Sequence, residues 1–277
     1  MGAGVVLGLG IAGLAVGFVA GLIGIGGGVL MVPLLYAFYE QSDWAGAPLS
    51  MALAPAVAHA TSLFVIVPTA IEGMISYQRA KLVPWRVALP VALGATFAAV
   101  LGARLALEVP GPVLKLAFGL LVVAAGVQIG AGRAQPRERP LRARLPVLVA
   151  IGVAVGLTSA MLGVGGGVVA IPLLTNVVGL DLRRVTATSL SIMAFASLAG
   201  TATYISSGLG VQGLPSGSLG YVHVWAALPL MAGSLLAVSW GARLNQRLRV
   251  RKLRLVFAAA FIVIGMRLVV QNAHAML

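Results

Sequence analysis

Two stretches, GIGGGVLMVPLL at Gly24–Leu35 and GVGGGVVAIPLL at Gly163–Leu174, decide the architecture of this 277-residue chain. They lie 139 positions apart, and over the longer windows Gly17–Leu35 and Gly156–Leu174 nine of 19 residues are identical. Similarity at one fixed spacing is the signature of an internal repeat. The chain is therefore expected to consist of two similar halves.

The repeat continues downstream in two registers. At the spacing of 139, the run Gly102–Leu105 matches Gly241–Leu244. At a spacing of 127, Thr61-Ser62-Leu63 matches Thr188-Ser189-Leu190. The first half therefore carries 12 extra residues before its Thr-Ser-Leu run, and the second half carries 12 extra residues further along.

The composition indicates a membrane protein. Hydrophobic residues make up 60% of the chain and charged residues 9%, and the mean hydropathy is +1.05. A soluble domain needs more polar surface than this. Several apolar stretches exceed the roughly 20 residues that a helix needs to cross hydrocarbon. We therefore expect an all-α polytopic membrane protein.

A polar stretch separates the two halves. Residues 132–144, GRAQPRERPLRAR, contain five arginines and two prolines and no apolar run, which is typical of a loop. The predicted organisation is a first transmembrane repeat at 1–131, a cytoplasmic linker at 132–144 and a second transmembrane repeat at 145–277. Each half contains four apolar blocks.

Charge placement predicts how these blocks cross. A GxGGG run near the centre of each first block is poorly suited to a continuous helix. If each first block dips in and returns, four loops on one side hold 16 of the 19 Lys and Arg, in agreement with the positive-inside rule. Each arm would have roughly 15–17 residues, or about 23–26 Å of helix, which is short of the ~30 Å hydrocarbon core.

The predicted fold is thus two inverted repeats, each a broken, re-entrant hairpin followed by three transmembrane helices. Three crossings plus a returning hairpin is an odd number, so the second half is inverted relative to the first, as in many secondary transporters. The protein would lie in the cytoplasmic (inner) membrane, with the basic linker in the cytoplasm and both termini on the outer side.

The two hairpin tips are the first candidate substrate site. Non-helical backbone inside a membrane is tolerated only where it is buried or lines a cavity. Exposed N–H groups and the start of the following helix favour an anion. The same glycines could instead serve only close helix packing. The substrate-binding candidates here are Gly26, Gly27, Gly28, Gly165, Gly166 and Gly167.

Polar residues in the next span are further substrate-binding candidates. The repeated hydroxyls could donate to an anion or to a carbonyl of the preceding turn. His59 lies in an apolar segment, where a titratable group suggests substrate contact or proton coupling, and a hydrogen-bonded buried histidine is the alternative. The hydroxyl candidates are Thr61, Ser62, Thr188 and Ser189.

Four more residues are candidates for coupling or gating. Glu72 lies well inside an apolar block and could relay protons or pair with Arg79, seven residues on. Tyr77 and its repeat equivalent Tyr204 could gate the pathway or anchor their helices at the membrane interface.

The pattern favours transport over catalysis. Six acidic residues and three histidines give no HExxH motif, carboxylate pair or metal cluster, so we expect no catalytic residue, metal or cofactor. The expected partners are a small anionic substrate and the lipid bilayer, with no nucleic acid, and both a coupling ion (a proton) and homo-oligomerisation stay open. The hypothesis is alternating access around a central site between the tips; a channel, a scaffold subunit or a membrane-embedded enzyme are the alternatives.

The ordered motifs also resemble a known family. The paired GxGGGxxxxPLL blocks, the Thr-Ser-Leu blocks, the segment YQRAKLVPW at Tyr77–Trp85 and the Gly-Ala-Arg-Leu runs resemble the TauE/SafE family of membrane permeases. That resemblance implies export of sulfite or of an organosulfonate such as sulfoacetate. Another small anion, such as a carboxylate or sulfate, is the alternative substrate.

Overall fold

The computed structural model describes residues 2–40, 49–50, 53–130, 144–247 and 251–274. Residues 132–143 of the predicted linker and the two chain ends lie outside this part of the chain. Seven helices in the described ranges are long and apolar enough to cross a membrane. The prediction of an all-α polytopic membrane protein is confirmed.

Within the described ranges, the helices follow one another in the same order in both halves. The first half consists of α1 (Ala3–Ile23), α2 (Gly28–Glu40), α3 (Leu53–Arg79), α4 (Trp85–Glu108) and α5 (Gly111–Gly130). The second consists of α6 (Leu145–Leu162), α7 (Gly167–Leu173) with a π-helical turn at Leu174–Val178, α8 (Leu182–Gly208), α9 (Val224–Arg247) and α10 (Arg251–His274). An antiparallel hairpin joins α8 to α9 through β1 (Ser218–Leu219) and β2 (Val222–His223).

The first block of each half is broken at its glycines, as the sequence predicts. Helices α1 and α6 end at Gly24 and Gly163, whose φ angles of 74° and 67° lie in the left-handed region that favours glycine. The predicted arm lengths are wrong. Because the chain stays helical until the left-handed glycine, α1 has 21 residues and α2 has 13. Helix α6 has 18 residues, and both first arms are long enough to cross.

Glycines bring helices from opposite halves into backbone contact. A Cβ added to Gly17 would lie 2.2 Å from the carbonyl oxygen of Ser234 on α9. The equivalent contact recurs between α6 and α4, where a Cβ on Gly156 would lie 2.1 Å from the carbonyl oxygen of Ala95. Residue numbers rise together along both pairs, so α1 is parallel to α9 and α6 to α4. The glycine face of α1 consists of Gly13, Gly17 and Gly21.

Helices that are equivalent by the repeat pack against each other in antiparallel fashion. A Cβ on Gly73 of α3 would lie 3.1 Å from Leu190 of α8, and one on Gly200 of α8 would lie 3.1 Å from Leu63 of α3. The contact positions move in opposite directions along the two helices. Helices α5 and α10 pack in the same way, with Gly119 beside Gly265 and Gly126 beside Ala258.

Candidate functional site

The first glycine-rich break lies between Gly24 and Gly28 and the second between Gly163 and Gly167, and the two breaks contact each other. A Cβ added to Gly28 would lie 2.5 Å from the carbonyl oxygen of Gly163, and one added to Gly167 would lie 2.2 Å from the carbonyl oxygen of Ile25. Backbone therefore packs on backbone, and no larger residue fits without a shift. The structure brings together the predicted candidates Gly26, Gly27, Gly28, Gly165, Gly166 and Gly167, all of them buried.

One methionine of α8 contacts both breaks. Its sulfur would lie 2.7 Å from a Cβ on Gly26 and 3.1 Å from a Cβ on Gly165. A small apolar cavity beside the first break has a free volume of about 10 Å³, room for at most one water molecule. Its lining includes Ala20, Gly26, Gly27, Ala70 and this methionine, Met193.

The repeated serines tie each break to a helix of the other half. Ser62 of α3 donates to the carbonyl oxygen of Gly163 at 2.8 Å, and Ser189 of α8 donates to that of Gly24 at 2.7 Å. A carbonyl exposed by a left-handed cap would otherwise be buried without a donor. The two hydroxyls therefore hold the breaks in place.

The repeated threonines differ in their contacts. The Thr188 hydroxyl donates to the Arg184 carbonyl oxygen one turn earlier in α8, at 2.7 Å. The Thr61 hydroxyl accepts from the backbone N–H of His223 at 3.0 Å. Thr61 thus anchors the β-hairpin to α3, whereas the hydrogen bond of Thr188 stays within α8.

Both repeated tyrosines are fully buried hydrogen-bond donors. Tyr77 of α3 donates to the Gly21 carbonyl oxygen and Tyr204 of α8 to that of Ala160, each at 3.0 Å. The relative exposure of both side chains is 0%, so they hold neighbouring helices together inside the protein. Anchoring at the membrane interface does not fit this burial.

The coupling candidates Glu72 and Arg79 lie apart from the breaks. The Glu72 carboxylate accepts a hydrogen bond of 2.5 Å from Ser239 of α9. Arg79 is exposed at the last residue of α3. The carboxylate is therefore placed between two helices, and the guanidinium lies at a helix end.

His59 lies against the second break in an aromatic cluster. A Cβ on Gly163 would lie 2.6 Å from the His59 Cα. The His59 Nε2 is 2.5 Å from the Tyr36 hydroxyl, its ring stacks on Phe118 with centroids 6.5 Å apart, and its Nδ1 is buried without a hydrogen-bond partner. The amino group of Lys115 lies 5.1 Å from the Tyr36 ring centroid.

A second tyrosine–histidine pair lies nearby, and sequence reasoning missed it. The Tyr39 hydroxyl is 3.2 Å from Nδ1 of His223. Burial lowers the pKa of His223 from 6.5 to about 4. Tyr36 and Tyr39 lie one turn apart on α2, so this short helix presents two phenols to two histidines. The repeat-equivalent residues in the second half are Thr175 and Val178, so the cluster is not duplicated.

The described part of the chain brings no set of metal-ligating side chains together at these sites. Among the described residues, no group of three or more His, Asp or Glu side chains could hold a metal ion. The breaks, the two tyrosine–histidine pairs and the Glu72–Ser239 pair are therefore polar sites within an apolar helix bundle.

Comparisons with known proteins agree on one class. The family model described as "Sulfite exporter TauE/SafE" matches residues 9–268. A probable membrane transporter protein of Methanocaldococcus jannaschii is 25% identical over 257 residues, 92% of each chain. Another, of Haemophilus influenzae, is 29% identical over 91% of this chain and 93% of its own. A third, YunE of Bacillus subtilis, is 23% identical over 94% and 96%. No solved structure gives a significant match.

Proposed function

Because this chain belongs to the TauE/SafE sulfite exporter family, we propose that it exports a small sulfur oxyanion, sulfite or an organosulfonate such as sulfoacetate, across the cytoplasmic membrane. The family and the relatives establish a membrane transporter. The substrate, the direction and the cytoplasmic membrane are our proposal. It keeps the linker 132–144 cytoplasmic and both termini outside.

The meeting of the two glycine-rich breaks carries this proposal. The first N–H groups after a break have no acceptor within their own helix, so they are available to an anion. Glycine lets such an anion approach the backbone closely. The breaks between Gly24 and Gly28 and between Gly163 and Gly167 are thus the proposed substrate site.

Transport through this site requires the breaks to separate. The cavity of about 10 Å³ beside the first break admits at most one water, and sulfite has four heavy atoms. The antiparallel packing of α3 on α8 supports an inverted arrangement of the halves, which is the usual basis of alternating access. Rocking of one half against the other would open the breaks first to one side and then to the other.

Proton coupling would involve a titratable group inside the helices. His59 contacts the second break, and Glu72 lies between α3 and α9. We place coupling at His59 because it is next to the proposed substrate site. In proteoliposomes, a pH gradient should then drive sulfite uptake by the wild type and not by His59→Gln, while Glu72→Gln should keep the response.

The test of function is radiolabelled sulfite counterflow into proteoliposomes containing the full chain. Unlabelled sulfite, sulfoacetate, taurine, sulfate, acetate and phosphate compete in turn. We expect saturable counterflow that sulfite or sulfoacetate inhibits. Saturable transport of carboxylates alone would refute the sulfur substrate, and a flux that does not saturate and follows the membrane potential would indicate a channel.

A matched set of variants links transport to the first break. A Cβ on Gly27 would lie 2.3 Å from a methyl group of Val16, and its other neighbour is 3.5 Å away. Gly27→Ala should therefore slow counterflow, and adding Val16→Ala should restore it by removing that methyl. Gly8→Ala is the control, because no atom lies within 4 Å of its added Cβ. Unchanged counterflow in Gly27→Ala would contradict a site at the break.

A further inference from the structure

Three hydroxyl groups near the second break are buried without any hydrogen-bond partner. They belong to Ser159 of α6 and to Ser197 and Thr201 of α8, whose relative exposures are 0%, 0% and 4%. A hydroxyl within a helix ordinarily donates to a carbonyl one turn earlier, as Ser191 and Thr203 of the same helix do. Nearly all buried polar groups in proteins are paired, so three exceptions in one region need a cause.

The serine of α6 lies directly at the break. A Cβ added to Gly166 would lie 3.2 Å from the Cβ of Ser159. Gly166 has a φ angle of 84°, so the backbone turns sharply at this point. The Ser159 hydroxyl is therefore within reach of anything held by the second glycine run.

The two hydroxyls of α8 belong to a helix face that contacts α6. Ser197 and Thr201 are one turn apart, and they share a helix face with Gly200 and Tyr204. That face packs on α6, because a Cβ on Gly200 would lie 3.2 Å from the Cβ of Ala160, and Tyr204 donates to the Ala160 carbonyl oxygen. The helix face that carries Ser197 and Thr201 therefore contacts α6 at Ala160, the residue next to Ser159.

The repeat relates this place to the apolar cavity of the first half. Ser159 is equivalent to Ala20 at the spacing of 139, and Ser197 is equivalent to Ala70 at the spacing of 127. Both alanines line the cavity beside the first break. Two cavity positions that are alanine in the first half are therefore serine in the second, whereas Thr69, which also lines the first-half cavity, has Ala196 as its equivalent.

We propose that Ser159, Ser197 and Thr201 form the oxyanion-binding part of the transport pathway, on the second break only. The ligand class is a small anion with at least three acceptor oxygens, such as sulfite or a sulfonate group. Each hydroxyl donates one hydrogen bond to a different oxygen, which satisfies three groups that have no partner within the protein. This site deepens the proposed function and rests on it for the identity of the anion.

The test compares ligand affinity with ligand-free stability. Ser159→Ala, Ser197→Ala and Thr201→Val are purified as full chains, and sulfite and sulfoacetate binding is measured by titration calorimetry, with phosphate and acetate alongside. We expect affinity to fall about tenfold to a hundredfold per hydroxyl lost, the effect of removing a hydrogen bond to a charged group. The thermal midpoint without ligand should stay level or rise, because an unpartnered buried hydroxyl is removed.

Ser191→Ala is the matched control, because Ser191 is a fully buried serine of α8 that donates to the Ala187 carbonyl oxygen. Its sulfite affinity should stay within about twofold of wild type, since no hydroxyl that faces the ligand is lost. Thr201→Ser, which keeps the hydroxyl, should bind as the wild type does.

Four outcomes decide between the site and the proposed function. If the wild type binds sulfite and the three variants bind it equally well, the site is refuted and the transporter proposal stands. If the variants lose stability without ligand, the hydroxyls are structural and the site is refuted. If phosphate binds through these hydroxyls and no sulfur anion does, the site stands and the sulfur substrate falls. If no anion in the panel binds the wild type, both are refuted.

Discussion

Replacing Gly17 by alanine tests whether the helix packing depends on glycine. The added Cβ would lie 2.2 Å from the Ser234 carbonyl oxygen and 2.5 Å from the Ser234 Cα. Carbon–oxygen contacts between neighbouring backbones normally lie at about 3.3–3.6 Å. Helices α1 and α9 must therefore move apart by about 1 Å. The 3.1 Å hydrogen bond from the Ser234 hydroxyl to the Gly13 carbonyl oxygen would lengthen with them.

These changes oppose one favourable effect. Overpacking of a close contact typically costs about 1–3 kcal/mol, and loss of an interhelical hydrogen bond in a membrane costs about 0.6 kcal/mol on average. Alanine in place of glycine inside a helix returns about 0.5–1 kcal/mol. We expect Gly17→Ala to lower the free energy of unfolding by about 2 kcal/mol, or roughly thirtyfold in the folding equilibrium.

The assay is reversible unfolding by SDS in mixed micelles, followed by helical circular dichroism. Gly8→Ala on the same helix is the control, because its Cβ meets no atom within 4 Å, and it should be neutral or stabilising. Gly156→Ala is the twin, because its Cβ would lie 2.1 Å from the Ala95 carbonyl oxygen, and it should cost as much. Equal stability of Gly17→Ala and Gly8→Ala would refute the role of close backbone packing.

Three further predictions concern the breaks, the hairpin and the topology. Ser62→Ala and Ser189→Ala should each lower the free energy of unfolding by about 1–2 kcal/mol, since each leaves a buried break carbonyl without its donor; a neutral result for both in the SDS assay would show that the breaks need no such tie. Burial lowers the pKa of His223 from 6.5 to about 4. Between these two pH values the unfolded chain therefore binds a proton on His223 that the folded chain does not bind. The free energy of unfolding should be constant above about pH 6.5 and fall as the pH is lowered from there to about pH 4. His223→Asn should flatten this part of the pH–stability curve, and a curve identical to wild type would assign the loss to other groups. Because the chain has no cysteine, the single variants Ser216→Cys and Ala80→Cys, both at exposed positions, report on which side of the membrane each loop lies. In intact spheroplasts, an impermeant maleimide should label Ser216→Cys and not Ala80→Cys. The reverse pattern would contradict the predicted orientation.

The glycine pattern made the architecture predictable. Glycine is chosen where the backbone adopts a left-handed φ or approaches another backbone, and both conditions can be read from sequence once a repeat marks the position. Gly24 and Gly163 end their helices, and Gly13, Gly17 and Gly21 form the close backbone contact of α1 with α9. The predicted arm lengths were wrong because the GxGGG run was predicted to lie at the centre of each block. The first left-handed glycine decides where the first helix ends.

The polar contacts were harder to predict because they join distant parts of the chain. The pair Tyr39–His223 spans 184 residues, and no periodicity relates a short helix of the first half to a hairpin of the second. For Ser62 the sequence left an anion and a carbonyl of the preceding turn as alternatives, and the structure pairs it instead with the carbonyl of the opposite break. The serines Ser159 and Ser197 had a usable signal, since the repeat alignment sets each against an alanine.

Duplication and asymmetry have different consequences for a transporter built this way. The backbone contacts of α1 with α9 recur between α6 and α4, so the two halves are joined by two equivalent contacts. In the proposed alternating-access cycle, neither half would then be the obvious moving part. A substrate site must nevertheless hold one ion, and two identical sites at touching breaks would compete for it. In our proposal, the hydroxyls beside the second break and the tyrosine–histidine pairs near His59 make the two breaks unequal, while the packing glycines stay equivalent.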